Sequence, residues 1–329
     1  MLHYFTHWVI AICFVCGITA QSNSSKRGIT YQATSNDNDY NIFISRSSVL
    51  TWYYNWSPYP VSEPSSFSRL SFAPLLHGLS NLQSNIRQLR NLPSTSTHLL
   101  SFNEPDGSLQ SGGSDVQPPA AAAAYVQYIN PLSVQNGGRW QISWPSTTGT
   151  YNGLQWLRAF NESCFKLNRT HGCVHDFVAT HFYGDFPALA SWLGQLNDYH
   201  NGNTTAGFKF WITEVALPQA SAAATEVMMN TTLSYLDQLP YVERYSWFGF
   251  TRQNRANQWT GDGVSLLNNN GGLTQLGATY LGGSAKGYTA GMSAASNTAA
   301  HRTGGTAHPV LLLALLFASL GLSTIDILA

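Results

Sequence analysis

The chain has 329 residues, 16 basic and 16 acidic side chains, and only 10% charged residues in all. A hydrophobic fraction of 43% excludes a disordered polypeptide, and the absence of any basic stripe excludes a nucleic-acid partner. Aromatic residues reach 13%, with 10 Trp and 16 Tyr. Ring faces stack on the apolar C–H faces of pyranoses, so this richness suits a carbohydrate cleft as well as an aromatic core.

In chain order, residues 1–20 read as a signal peptide: an apolar run over 8–17, too short to span a membrane, then Ile18-Thr19-Ala20 as a cleavage site. Asn-X-Ser/Thr sequons follow at Asn23, Asn55, Asn161, Asn168, Asn203 and Asn230. All but Asn55, which sits among candidate site aromatics, are expected to carry glycans in the secretory pathway. Cys164 and Cys173 are the only cysteines in the body of the chain. A lone pair closing a short loop in a secreted protein reads as a disulfide, and the spacing offers too few ligands for a metal.

Residues 21–283 are expected to form a single α/β domain, a (β/α)8 TIM barrel, because short apolar runs alternate with longer amphipathic stretches. The predicted strands are 28–31, 49–54, 72–76, 98–102, 140–143, 177–181, 210–213 and 245–250. Helices are predicted at 79–92, 118–129, 152–165, 187–199 and 221–239, with a final short one ending near 281. Residues 32–48 are polar and turn-rich, which weakens the pattern of the first crossover. Residues 284–308 read as a Gly/Ser/Thr-rich stalk, and residues 309–329 as an apolar tail with no basic segment after it. That combination predicts a GPI signal attached at Asn297, hence a cell-surface or cell-wall location with membrane contact through the anchor.

In a barrel of this kind, chemistry sits at the C-terminal ends of the strands. The chain has six glutamates: Glu63 lies in a Ser/Pro loop, Glu162 at a helix end, Glu226 within a helix, and Glu243 before its strand. Only Glu104 and Glu214 follow apolar strand runs, in Phe102-Asn103-Glu104-Pro105 and Trp211-Ile212-Thr213-Glu214. Two carboxyl groups facing one site are what glycosidic cleavage needs. Asp106 is read instead as a loop-stabilising carboxylate, and Pro105 as the residue that turns the chain away.

Those two motifs occur in order with Lys26-Arg27-Gly28, Trp52-Tyr53-Tyr54-Asn55-Trp56, His181-Phe182-Tyr183-Gly184 and Leu273-Thr274-Gln275-Leu276-Gly277. The ordered set, over residues 26–283, resembles the fungal Asl1-like glycosyl hydrolase catalytic core, glycoside hydrolase family 128. The resemblance implies a barrel of retaining endo-β-1,3-glucanases, with Glu104 as acid/base and Glu214 as nucleophile. The chain departs from the family pattern at His77 and Trp144, both expected near sugar subsites.

Around the glutamates, Asn103 is a candidate donor to the sugar 2-hydroxyl. His181 and Tyr183 are candidates to hold Glu214 or a sugar hydroxyl. Trp52, Tyr54, Trp56 and above all Trp247 are candidate stacking platforms. No metal or organic cofactor is implied, and the expected partner is β-glucan polysaccharide or oligosaccharide bound by a monomer. Two other readings stay open: a wall-anchored glucan-binding or structural protein, and a transglycosylase that uses the same two glutamates.

Overall fold

Eight short parallel strands run through the residues that the computed structural model describes: 25–294, apart from 33–35, 46–47, 63–64 and 203–206. They are β1 (Gly28–Thr30), β2 (Trp52–Tyr54), β3 (Ser71–Phe72), β4 (His98–Leu99), β5 (Gln141–Ile142), β6 (Phe177–Tyr183), β7 (Lys209–Ala216) and β8 (Val242–Trp247). Each overlaps a predicted strand. They pair as β1-β2-β3, β4-β5 and β6-β7-β8. Parallel bridges Leu75–Leu100, Ser143–Phe177 and Arg27–Tyr245 connect each group to the next.

Six α-helices alternate with them: α1 (Leu82–Gln88), α2 (Pro118–Ala124), α3 (Tyr151–Leu167), α4 (Phe186–Asn201), α5 (Ala222–Gln238) and α6 (Gln275–Tyr280). Their starts are chemically specified. Thr150, Asp185, Ser221 and Thr274 each accept a backbone N–H of the first turn, and proline opens α2. The turn-rich residues after β1 form a 3₁₀ helix, Asp37–Ile42, that buries Tyr40 and Ile42.

Two apolar layers result. The larger fills the space between strands and helices. The smaller lies among the strands and joins Trp52, Tyr54, Leu75, Leu100, Phe177 and Trp211. Trp52 is therefore not a sugar platform. Its ring is fully buried 5.1 Å from that of Trp211, and its indole N–H donates to the Lys26 carbonyl. Gly28 makes room for it, since a Cβ there would lie 2.2 Å from the indole.

The register of β7 matters for the site. Thr180 pairs with Ile212, but His181 pairs with Glu214, so one extra β7 residue is accommodated at Thr213. Strict alternation from the inward-facing Trp211 would turn Glu214 away; the irregularity brings it back to the inner face.

The body also extends further than the sequence suggests. Tyr288, in the segment expected to be stalk, is 2% exposed and shares a hydrogen bond with the Ser45 hydroxyl. Leu273 N–H donates to Met292 O, and Gly291 N–H to Leu273 O. One aromatic anchor and a short backbone ladder thus hold residues 284–294 to the body. Asn23, Asn203, Asn297, the signal segment and the apolar tail lie outside the described residues.

Burial pushes His98 down to about 3, with Arg244 adding to the effect, and pushes His200 down to about 3; burial also lowers His175, with His200 beside it. The unfolded chain binds protons at these groups below the ordinary imidazole value of about 6.5, whereas the folded chain does not. Their contribution is thus complete above that value and is lost progressively as pH falls towards 3. The urea midpoint is expected to drop between pH 7.5 and pH 5, and replacing His98 by Gln should reduce that drop.

Candidate active site

The polar groups converge at the C-terminal ends of the strands. Glu104 follows β4 with φ 37°, a left-handed conformation rare for a side chain larger than glycine. Backbone bonds fix it: its N–H donates to Ser146 O at 2.7 Å, and its carbonyl accepts from Gly107 N–H at 2.9 Å and Ser114 N–H at 3.1 Å. Pro105 and Asp106 form the centre of that turn, and proline is suited to its first central position. Asp106 accepts the Thr148 backbone N–H and, at 2.6 Å, the Thr148 hydroxyl, tying this turn to the loop after β5. It has the loop-stabilising role expected of it. Gly113 is obligatory here, because a Cβ would stand 2.4 Å from Gly107 O.

His181 on β6 bridges the two glutamates. Its Nδ1 is 2.7 Å from Glu104 Oε1. Its Nε2 is 3.3 Å from Glu214 Oε1 but out of line, so that nitrogen is buried without a hydrogen bond. One oxygen of each glutamate and a ring nitrogen of His181 lie within 4.8 Å of one another. Burial alone would lower the His181 pKa; the Glu214 charge, the hydrogen bond that His181 donates to Glu104 and the charges of Glu104 and Asp106 together raise it.

Glu214 is held from three sides. Its Oε1 accepts from the Tyr54 hydroxyl at 2.8 Å and the Trp56 indole at 2.9 Å, and its Oε2 accepts from the Tyr183 hydroxyl. Burial first, and the Glu214 charge second, push both tyrosines well above their usual value, so both remain donors at physiological pH. Three of roughly four acceptor positions on this carboxylate are thus filled by O–H and N–H groups. Glu104, His181 and Glu214 are the one described trio whose ligand atoms could meet on a metal ion, but this donor shell leaves Glu214 little to offer a cation.

The cluster floors an open cleft of about 640 Å³ whose walls include Trp56, His77, Asn103, Tyr183, Phe248 and Trp259. Asn103 Nδ2 donates to Gly112 O, which His77 Nε2 also approaches at 3.2 Å; Asn103 Oδ1 is buried without a partner. Trp259 stands 59% exposed on the rim. Its loop is fixed by Asn257 Oδ1, which accepts from Trp259 N–H and Thr260 N–H, and by the Gln219 amide, which donates to Gln258 O and Trp259 O.

Among known families, the glycosyl hydrolase catalytic core matches residues 28–280, a span that contains every residue of this site. The chain belongs to the Asl1-like glycosyl hydrolase catalytic core, glycoside hydrolase family 128. It is 29% identical over 269 residues to alkali-sensitive linkage protein 1 of Schizosaccharomyces pombe, covering 79% of this chain. The chain spans 45% of the length of that relative. A family 128 subgroup II endo-β-1,3-glucanase from Pseudomonas viridiflava is 26% identical, with a TM-score of 0.61, over 78% of this chain and 97% of its own. The fold is shared at 19% identity and a TM-score of 0.61 by a family 128 subgroup VII oligosaccharide-binding protein from Trichoderma gamsii, over 80% of this chain and 95% of its own.

Within this family 128 site, Asn103, Trp56 and Tyr183 line the cleft as the sequence suggests, while His181 lies wholly beneath it. Tyr54 and Trp247 do not line it. Tyr54 is fully buried and spends its hydroxyl on Glu214. Trp247 is 1% exposed and donates its indole N–H to Val264 O. The next residue, Phe248, just past the end of β8, lines the cleft instead. Trp259 was not singled out from the sequence, although a lone Trp in the polar run Arg252–Asp262 was a usable signal. Of the two family departures, His77 lines the cleft. Trp144 does not: it packs edge-on to Phe160 in the helix layer and donates to Cys173 O at 2.8 Å, beside the Cys164–Cys173 disulfide.

Proposed function

We propose that this chain is a secreted, surface-anchored retaining glycosidase for β-1,3-glucan, with its eight strands acting as one (β/α)8 barrel. The bridges between the three strand groups support the barrel. The carrying observation for the chemistry is the approach of Glu104 and Glu214 oxygens to within 4.8 Å. Retaining enzymes hold their carboxyl groups about 5–5.5 Å apart, whereas inverting ones leave roughly 6.5–9.5 Å for a water.

Glu214, ionised, attacks the anomeric carbon while Glu104 gives its proton to the departing glycosidic oxygen. A glycosyl ester on Glu214 results. Glu104, now a base, takes a proton from water, which displaces Glu214 and releases the sugar with its original configuration. The donors from Tyr54, Trp56 and Tyr183 aim Glu214 and keep its carboxylate in one orientation. His181, its own pKa raised, stands 2.7 Å from Glu104 with a proton to pass on.

Incubation with laminari-oligosaccharides tests the reading: shorter products with retained anomeric configuration are expected. Binding without turnover over a long incubation would instead make the chain a glucan binder, and longer products would make it a transglycosylase. Secretion and anchoring rest on the apolar ends and the sequons. No described helix is long and apolar enough to cross a membrane, and the tail lies outside the described residues. Release from cells by phosphatidylinositol-specific phospholipase C is expected; retention in the membrane pellet would overturn the anchor.

Trp259 supplies a stacking face at the open end of the cleft. Its replacement by Ala is expected to raise KM for long laminarin chains about 2- to 10-fold while leaving kcat near its original value. Steady-state kinetics on laminarin and on a disaccharide glycoside checks this, because a fall confined to kcat would remove Trp259 from substrate contact.

A further inference from the structure

A second cavity, of about 500 Å³, opens on the helix layer between α3 and α4. It sits beside residues that lead into β6 and β7, and so at the opposite end of the strands from Glu104 and Glu214. Its size falls in the roughly 300–1,000 Å³ range of small-ligand sites. The lining is rich in rings: Trp144, Phe165, Tyr199 and Phe208. Phe165 is 46% exposed. Nothing in the catalytic mechanism uses this cavity.

Asn161, the first residue of the sequon Asn161-Glu162-Ser163, is also part of the lining. It stands four residues before Phe165 on α3, on the same helix face, and Tyr199 of α4 lines the same cavity. The neighbouring sequon at Asn168 is placed differently. Its side-chain Oδ1 accepts the His171 N–H in the turn that follows α3, and it is not among the lining residues.

We infer that Asn161 carries an N-linked glycan whose first N-acetylglucosamine seats in this cavity against Phe165 and Tyr199. The inference rests on the secreted reading above. In the attachment step, Asn161 Nδ2 forms a bond to C1 of a lipid-pyrophosphate-linked oligosaccharide. The C1–O bond breaks, the pyrophosphate leaves with the electron pair, and Nδ2 loses one of its two protons. The apolar face of the sugar then covers the half-exposed Phe165 ring, which otherwise faces water.

The test uses the full chain secreted from a eukaryotic host, with glycopeptide mass spectrometry at each sequon. Two digests are compared: an endoglycosidase that leaves one N-acetylglucosamine, and an amidase that removes it. Removal of that last sugar is expected to lower Tm by on the order of 2 °C or more. This difference should vanish in Ser163→Ala, which abolishes the sequon, and in Phe165→Ala, which keeps it. Laminarin hydrolysis should be the same in all forms, which separates this inference from the catalytic reading. Glycans at other sequons with Asn161 bare would overturn the inference while leaving secretion intact; failure of the chain to enter the secretory pathway would overturn both. Occupancy without a Tm difference, a difference that persists in Phe165→Ala, or stabilisation of Ser163→Ala by free oligosaccharide alone would each overturn it.

Discussion

Glu214→Ala is expected to reduce laminarin hydrolysis on the order of 10⁴-fold or more, and Glu104→Ala about 10²- to 10⁴-fold. The losses should differ in kind. Without Glu214 no glycosyl ester can form, whatever the leaving group. Without Glu104 the first step recovers on an aryl glucoside whose leaving group needs no proton, and the second step becomes limiting. Azide separates the roles further. In Glu214→Ala it occupies the space of the missing carboxylate and yields a glycosyl azide of inverted configuration. In Glu104→Ala it attacks the glycosyl ester and yields one of retained configuration. Product configuration by NMR decides the assignment, and full activity in either variant would end the two-glutamate mechanism. Circular dichroism is the necessary control, because Glu214→Ala leaves three donors, on Tyr54, Trp56 and Tyr183, without their acceptor.

His181→Ala is expected to lower kcat about 10²-fold with little change in KM, since His181 lies under the cleft and meets both glutamates but not the open space above them. The pH profile is the more telling readout. With its pKa raised, His181 holds a proton beside Glu104 above the ordinary imidazole value of about 6.5. The basic limb of kcat/KM in the wild type should therefore lie on the alkaline side of that value. In His181→Ala that imidazole proton is gone, and the limb should move to lower pH. A limb that stays in place, with kcat reduced, would reduce His181 to a packing role.

The strands were legible because parallel strands covered on both faces read as short apolar runs, and each of the eight runs overlaps an observed strand. The glutamate pair was legible for a related reason: few carboxylates follow such runs. What the pattern could not supply is rotation about the strand axis. Tyr53 faces the helix layer and Tyr54 the enclosed cluster, and of the neighbours Trp247 and Phe248 only Phe248 reaches the cleft. A shift of one residue exchanges the sides, which is why Trp247 was favoured and Phe248 passed over. The β7 irregularity that turns Glu214 inward has no periodic signature either, since it depends on how β7 meets β6. Loop contributors such as Trp259 and Thr148 sit in segments with no repeat to read, and their positions follow from side-chain-to-backbone bonds such as those of Asn257 and Asp106. The burial of Tyr288 was hidden by its surroundings of Gly, Ser, Ala and Thr, whose composition resembles a linker.

The left-handed backbone at Glu104 bears on how this protein can change over generations. Holding a non-glycine residue there costs about 1–2 kcal/mol, and the proline that follows restricts it further. A glycine at 104 would relieve that strain while deleting the carboxyl group. It would also leave His181 Nδ1 buried without its partner, at about 1–3 kcal/mol, so strain relief and lost hydrogen bonding oppose each other at this codon. The backbone at 104 is thus held by two opposed costs, and neither glycine nor glutamate has a large advantage in stability there.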